Sequence, residues 1–293
     1  MSLLAMLLAL IAERLSSPYR HAEVARGHIA QVLRERLPQV WARTSLMLLF
    51  LLLPALLVEL LRESIAFVPL RLLYDAALLF ACLGPRDLSD DIRLLRKART
   101  RGDSAEVARL GAQLQTGPTP DADHRSLIGA LFIQSHERVF GMFWWFLVAG
   151  PAGAVLYRCA SRLPALLGDP AQTHAEFGAP LGAQFAQKVH AVLAWLPARL
   201  TAALFGLAGS FDDAARAWRR VQQAPHDNWQ RQTWNLLAEV SDAALDWEDE
   251  SGGGPVETAA LDTVLQEVQR MQARALLILL AITALFGAGT WIA

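Results

Sequence analysis

The sequence has few cysteines and none of the short motifs that mark the commonest enzyme sites. Only Cys82 and Cys159 occur in 293 residues, and each lies at the end of an apolar segment, without the spacing of a disulfide framework or metal site. The seven histidines form no HExxH or His-x-His pattern, so no metal site is predicted. Phosphate loops of the GxxxxGK[ST] type, GxGxxG turns and GxSxG elbows are also absent. The motifs therefore identify no cofactor.

A basic excess is missing as well. The formal net charge is −1, whereas proteins that bind nucleic acid usually carry a basic excess or a basic stripe, so no nucleic-acid partner is expected. What the sequence does have is apolar residues, which make up 54% of the chain beside 19% charged residues. Since this chain is more apolar than an ordinary soluble domain, charged and apolar residues must be segregated, which indicates a membrane protein.

Four apolar segments are long enough to cross a bilayer. The first, Thr44 to Leu61, reaches about 27 Å at about 1.5 Å per residue, close to the thickness of the hydrocarbon core. The four predicted spans are residues 44–61, 67–83, 139–157 and 275–292. We favour 191–210 as a fifth span, because it would keep the arginines of the following region in the cytoplasm. The predicted fold is all-α: a polytopic α-helical integral membrane protein with four to five transmembrane helices and amphipathic cytoplasmic helices.

The segments between these spans are polar with helical periodicity. Residues 84–135 are predicted as a cytoplasmic helical loop, because basic residues cluster between Arg93 and Arg101 and positive loops stay inside. Within it, Asp103 and Glu106 form a capping box for a helix. Residues 211–272 are predicted as a polar helical region. We therefore interpret residues 1–293 as a single membrane domain.

Charged residues next to the apolar runs are the candidates for function. Residues 135–162 hold a Gly150-Pro151 break inside an apolar span, with Glu137 before the span and Arg158 after it. Arginines and helix N-termini at a membrane surface suit phosphate or carboxylate ligands, although snorkelling anchors and interhelical pairs explain such residues equally well. Arg71 and Asp75, four residues apart, are expected to neutralise each other on one helical face.

Four motifs, taken in order, resemble the CobD/CbiB family of membrane proteins and, within it, the AmpE proteins. They are LALIAERL at residues 8–15, ERVFG at 137–141, GPAGAVLYR at 150–158 and WLPARL at 195–200. The resemblance covers most of the chain and implies a multi-pass protein of the bacterial inner membrane. Enzymes of the family join an aminopropanol unit to adenosylcobyric acid in an ATP-dependent amide synthesis, whereas the AmpE proteins modulate signalling in β-lactamase induction.

The chain departs from the enzymes at several motif positions. Ahead of Pro-Ala-Arg-Leu the enzymes usually carry paired aspartates and an asparagine, where this chain has His190, Ala191 and Ala194. Their Glu-Asn pair reads Glu137-Arg138 here, and SRLP at 161–164 replaces their Asn-Thr-Leu-Asp. Carboxylates that could hold magnesium are therefore largely missing. The candidate ligand-binding residues are Glu13, Glu137, Arg138, Arg158 and Arg199.

The resemblance favours an AmpE-like regulatory protein of cell-envelope signalling, linked to β-lactamase induction and peptidoglycan recycling. Such a protein need not be an enzyme and would bind a small anionic or peptidoglycan-derived ligand, or a protein partner. The alternative is a CobD/CbiB-type ATP-dependent amide ligase or transferase, resembling adenosylcobinamide-phosphate synthase, that acts on an acidic or phosphorylated substrate. A small transporter with helix breaks at Pro54, Pro151 and Pro197 is a third hypothesis.

Overall fold

The computed structural model describes residues 2–16, 44–83, 88–167, 181–225, 228–245 and 258–292. These residues are almost entirely helical and contain no β-strand, so the predicted all-α fold is confirmed. The helices are α1 (Ser2–Ser16), α2 (Thr44–Ser64), α3 (Val68–Leu83), α4 (Leu88–Thr100), α5 (Ser104–Gln115), α6 (Leu127–Ser135), α7 (Gly141–Leu167), α8 (Leu181–Ala208), α9 (Phe211–Gln223), α10 (Trp229–Ala243) and α11 (Thr258–Ile292). A π-helical turn, His136–Phe140, joins α6 to α7.

Four stretches of the described chain are long and apolar enough to cross a membrane: Val68–Thr100, Leu127–Pro164, Gln184–Ala208 and Leu261–Leu285. The chain is therefore an integral membrane protein with several apolar helices. The predicted segment 191–210 lies largely within the third of these stretches. The second begins at Leu127, twelve residues before the predicted Val139, because α6 is apolar and continues through the π-helical turn into α7.

Helices α7 and α8 pack side by side at the centre of the fold. Helix α10 packs against α8 and α6, helix α11 contacts α8, and α1 packs against α3. Aromatic side chains fill the centre, where the Phe205 ring lies 4.9 Å from that of Phe132 and 5.2 Å from that of Phe140, both edge to face. The leucines of α2, in contrast, are mostly exposed and suited to contact lipid.

The Gly-Pro break predicted inside the span is present. Ala149 and Gly150 leave the helical conformation, and Gly150 has a φ of 62°, a value that glycine adopts without strain. Gly153 in the following turn is required for a different reason, since a Cβ atom there would lie 2.3 Å from the Trp145 carbonyl oxygen. The chain therefore reverses direction at Ala149 and Gly150, so the two parts of α7 lie against each other and Tyr157 reaches Glu137.

Polar contacts hold the connecting helices in place. The Asp103 side chain accepts a hydrogen bond from the Glu106 backbone N–H at 3.0 Å, so it caps α5 as predicted. The expected Arg71–Asp75 pair was wrong: Asp75 instead accepts a hydrogen bond from Arg62 at 2.9 Å. The α2–α3 hairpin brings the end of α2 beside α3, so Arg62 reaches Asp75 across the hairpin.

Candidate functional site

A polar cluster lies inside the apolar bundle around the π-helical turn. A π-helical turn accommodates an extra residue and often occurs at a functional site. Here the turn directs both His136 and Glu137 inward, and their side chains are buried although apolar residues flank them on both sides. An ionisable residue at such a position in a membrane segment is costly and marks a functional site by default.

Three helical segments converge on the carboxylate of Glu137. The Tyr157 hydroxyl of α7 donates a hydrogen bond to Glu137 Oε1 at 2.7 Å. His190 Nε2 of α8 lies 3.2 Å from each carboxylate oxygen. Gly141 allows this approach, because a Cβ atom there would lie 2.6 Å from the Tyr157 ring. The carboxylate is thus held from both sides in a buried setting.

His136 extends the network toward the other end of α8. Its Nδ1 lies 2.9 Å from Thr201 Oγ1 and its Nε2 lies 3.2 Å from the Tyr157 hydroxyl oxygen. Thr201 and His190 are eleven residues apart, which is about three helical turns, so they share one face of α8. We refer to His136, Glu137, Tyr157, His190 and Thr201 as the Glu137 cluster.

Two tryptophan side chains stabilise the helices that carry this cluster. Trp234 of α10 stacks on His190 with the ring centres 5.8 Å apart and meets His136 edge to face at 5.9 Å. Trp145 Nε1 donates to the Leu193 carbonyl at 3.0 Å. Since Pro197 has no N–H to bond that carbonyl, Trp145 satisfies the group that the proline leaves free in α8.

Arg138 and Arg158 supply positive charge beside the cluster. Arg138 donates to Asp91 at 2.7 Å and to Gln134 at 3.2 Å, which ties the π-helical turn to α4 and α6. Arg158 follows Tyr157 and interacts electrostatically with Glu137, Arg138 and Arg162. Within the described residues the Arg158 guanidinium has no ion pair at bonding distance. The cluster therefore has a cationic side suited to an anion.

The other two predicted site residues do not join this group in the described structure. Arg199 lies nine residues from His190, about two and a half turns, and so projects from the opposite face of α8. Its guanidinium stacks 4.1 Å from the Trp195 ring centre and donates to Thr233 Oγ1 at 3.3 Å. Glu13 lies on α1, but its side chain is outside the described part of the chain.

The structure thus brings Glu137, Arg138 and Arg158 together and adds residues that the sequence analysis did not select. From the sequence, Tyr157 is only part of the GPAGAVLYR motif and His190 a replaced motif position, whereas His136, Thr201 and Trp234 have no predicted role. Thr201 follows His190 by eleven positions in an apolar segment, which places both on one face of a helix. This spacing is the signal that could have identified Thr201. The arrangement can exchange a proton at the carboxylate and hold an anion at the arginines.

Comparison with known proteins places this site within a recognised family. The family model described as CobD/Cbib protein matches residues 3–231. A Chromobacterium violaceum protein is 32% identical over 167 residues, which are 55% of this chain and 51% of the relative. A Stutzerimonas stutzeri protein is 31% identical over 157 residues, covering 52% and 50% of the two chains, and a Brucella suis protein is 26% identical over 162 residues, covering 50% and 48%.

All three relatives carry the name cobalamin biosynthesis protein CobD. The chain spans about half the length of these curated relatives. No solved structure matches the chain significantly.

Proposed function

The chain belongs to the CobD/Cbib protein family, and on this premise we propose that it is a bacterial inner-membrane enzyme that forms an amide bond. In this proposal it acts as an ATP-dependent ligase or transferase on an acidic or phosphorylated substrate. The observation that carries the proposal is the family match over residues 3–231, which encloses the whole Glu137 cluster. The relatives are named for cobalamin biosynthesis, which favours this function over the envelope-signalling role that the sequence analysis ranked first.

The geometry of the site supports this chemistry. An amine attacks an acyl group only after it loses a proton, so an amide-forming enzyme benefits from a proton acceptor held in place. Glu137 is such an acceptor, since Tyr157 and His190 fix it on two sides. Arg158, which lies within electrostatic range of Glu137, is suited to the negative charge of the acidic substrate.

Magnesium would accompany the nucleotide in such a reaction, and the residues that the structure describes do not form a site for it. Among the described residues, no group of three or more His, Cys, Asp or Glu side chains is arranged to hold a metal ion. Magnesium commonly binds through substrate phosphates and water.

An assay of the purified protein tests the proposal. The full chain in detergent would receive adenosylcobyric acid, aminopropanol or its phosphate, ATP and magnesium, and the amide product would be detected by mass spectrometry. We expect a product that depends on ATP and on the amine. The Chromobacterium violaceum relative serves as the control under the same conditions. If the relative forms the amide and this chain forms none, the proposal fails for these substrates; altered β-lactamase induction on deletion of the gene would then support the signalling function.

A further inference from the structure

Arg199 lies in a stripe of otherwise apolar residues on the surface of α8. The stripe occupies one helical face and consists of Val192, Trp195, Leu196, Arg199 and Leu200. Its four apolar side chains are exposed, and they belong to the stretch Gln184–Ala208, which is long and apolar enough to cross a membrane. An exposed apolar surface on such a helix contacts lipid chains. Arg199 is therefore on the lipid-facing side of α8.

The protein surface changes from apolar to polar at Arg199. Apart from Trp229 at its start, the exposed residues of the adjoining α10 are all polar: Arg231, Asn235 and Glu239. Arg199 reaches this helix, since its Nη1 donates to Thr233 Oγ1 at 3.3 Å. Trp195 and Trp229, which are 44% and 43% exposed, each precede one partner of this contact by four residues, about one helical turn. Exposed tryptophans beside such a change of polarity are typical of the edge of the hydrocarbon core.

The guanidinium group of Arg199 has only neutral partners in the described part of the chain. It lies 4.1 Å from the centre of the Trp195 ring, and its Nη1 also donates to the Trp195 carbonyl oxygen at 3.0 Å. Among the described residues, no carboxylate pairs with it, and its Nε and Nη2 atoms have no acceptor. A guanidinium group has five N–H donors. Trp195 and Thr233 thus hold the group in place and leave donors for a ligand.

A positive charge at the edge of the hydrocarbon core needs a counter-charge. An unpaired charge in such a place is costly, and the described protein residues supply no anion to Arg199. Arg138 provides the contrast, because it pairs with Asp91 at 2.7 Å. The surface next to Arg199 contacts lipid, so the anion nearest to hand is a lipid headgroup. The fork of a guanidinium group matches the oxygens of a phosphate group.

We infer that Arg199 binds the phosphate group of an anionic phospholipid, with the acyl chains of the lipid along Val192 and Leu196. An anionic headgroup is preferred to a zwitterionic one, because the ammonium group of a zwitterionic lipid neutralises its own phosphate. The site lies on the face of α8 opposite to the Glu137 cluster. It is thus separate from the proposed amide-forming site and does not depend on the proposed function.

Lipid binding by the full chain tests the inference. The delipidated protein in detergent would receive phosphatidylglycerol, phosphatidylcholine or inorganic phosphate, and native mass spectrometry would give the Kd of each complex. We expect the wild type to bind one phosphatidylglycerol molecule more tightly than phosphatidylcholine. Arg199→Gln should weaken phosphatidylglycerol binding by about 5-fold or more, the contribution of one basic residue at an anionic membrane surface.

Two control variants separate this site from general charge and folding effects. Arg231→Gln removes an exposed arginine from the neighbouring surface of α10, and Tyr74→Phe removes the hydroxyl that donates to the Val58 carbonyl in another part of the fold. Both should bind phosphatidylglycerol like the wild type. If Arg199→Gln folds poorly, Arg199→Lys keeps the charge but loses the fork, and its affinity should also fall below that of the wild type.

Three results would overturn the inference. Equal phosphatidylglycerol binding by the wild type and a folded Arg199→Gln protein would show that the guanidinium group does not hold the lipid. An equal loss in Arg231→Gln would reduce the effect to general surface charge. Displacement of phosphatidylglycerol by inorganic phosphate at a similar concentration would assign the site to a soluble phosphate compound. None of these results requires amide formation, so each is distinct from a failure of the proposed function.

Discussion

The contact between Gly141 and Tyr157 makes a sharp prediction about how the site is assembled. A Cβ atom at position 141 would lie 2.6 Å from two ring carbons of Tyr157 and 2.7 Å from its hydroxyl oxygen, well inside contact distance. In Gly141→Ala the phenol must therefore move, and overpacking of this kind costs about 1–3 kcal/mol. The movement also weakens the 2.7 Å hydrogen bond to Glu137, and such bonds to a charged group are worth about 1.5–3 kcal/mol.

We therefore expect Gly141→Ala to destabilise the fold by about 2–5 kcal/mol, measured as a lower midpoint of thermal or denaturant unfolding in detergent. Gly111→Ala is the matched control, because Gly111 also lies within a helix and a Cβ there would have no atom within 4 Å. In this control the free energy of unfolding should stay the same or rise slightly, since alanine favours helix over glycine by about 0.5–1 kcal/mol.

A double-mutant cycle separates the clash from a general effect of alanine in the span. Tyr157→Ala removes the ring that alanine at position 141 would strike, so Gly141→Ala should cost no more than about 1 kcal/mol in that background. If Gly141→Ala is as stable as Gly111→Ala, or costs the same with and without the Tyr157 ring, the account of how Tyr157 approaches Glu137 is incorrect.

Three further predictions concern other parts of the fold. Trp145→Phe removes the donor to the Leu193 carbonyl that Pro197 leaves free. Unfolding measurements should therefore show that the free energy of unfolding falls by about 1–3 kcal/mol. An unchanged stability would refute the role of this bond. Asp103→Ala removes the α5 cap and should cost about 1 kcal/mol, seen as faster hydrogen exchange in the first turn of α5; equal exchange rates would contradict it. Burial, and secondarily Glu239, raises the pKa of Asp242, so ionisation destabilises the folded state as pH rises above the unfolded-state pKa. The stability of Asp242→Asn relative to the wild type should therefore increase from acidic to neutral pH. A difference in melting temperature between the two proteins that is the same at every pH would contradict this prediction.

The fold could be predicted from the sequence because the signal for a membrane helix is local. A long apolar run needs no partner to be recognised, and this is why the all-α membrane architecture and the Gly150-Pro151 break follow from the sequence alone. The start of the span containing Glu137 was harder to locate. Charged residues next to Val139 indicated a boundary there, whereas the structure buries His136 and Glu137 and continues the helix back to Leu127.

The site could be predicted only in part, because it depends on which faces of the helices meet. Glu137 and Arg138 are adjacent in the chain, and Arg158 approaches them because the chain reverses direction at Ala149 and Gly150. Arg199 was grouped with them by motif, but it projects from the face of α8 opposite to His190. From the sequence, His190 is only a replaced motif position and Thr201 is an ordinary residue of an apolar run, and their contacts with His136 and Glu137 appear only when α7 and α8 are placed together.

The family could be inferred from motifs, but the choice within it could not. The four motifs are shared across the CobD/CbiB family, so they do not separate an enzyme from a signalling protein. The departures at Arg138 and His190 favoured a loss of chemistry, because a carboxylate for magnesium was missing. In the structure those same residues contribute to the buried network and its surroundings, so the departures are compatible with a changed arrangement of the site.

The central claim is that the protein forms an amide at the Glu137 cluster, and product formation by Glu137→Gln tests it most directly. The variant keeps the shape of the side chain and can still pair with Tyr157 and His190, so it should fold like the wild type, while its proton acceptor is gone. With mass spectrometric detection of the amide, we predict a loss of about 100-fold or more for Glu137→Gln, a usual size for removal of an acid–base group, and wild-type rates for Tyr74→Phe. A wild type that forms the amide together with a folded Glu137→Gln protein of equal activity would contradict the claim.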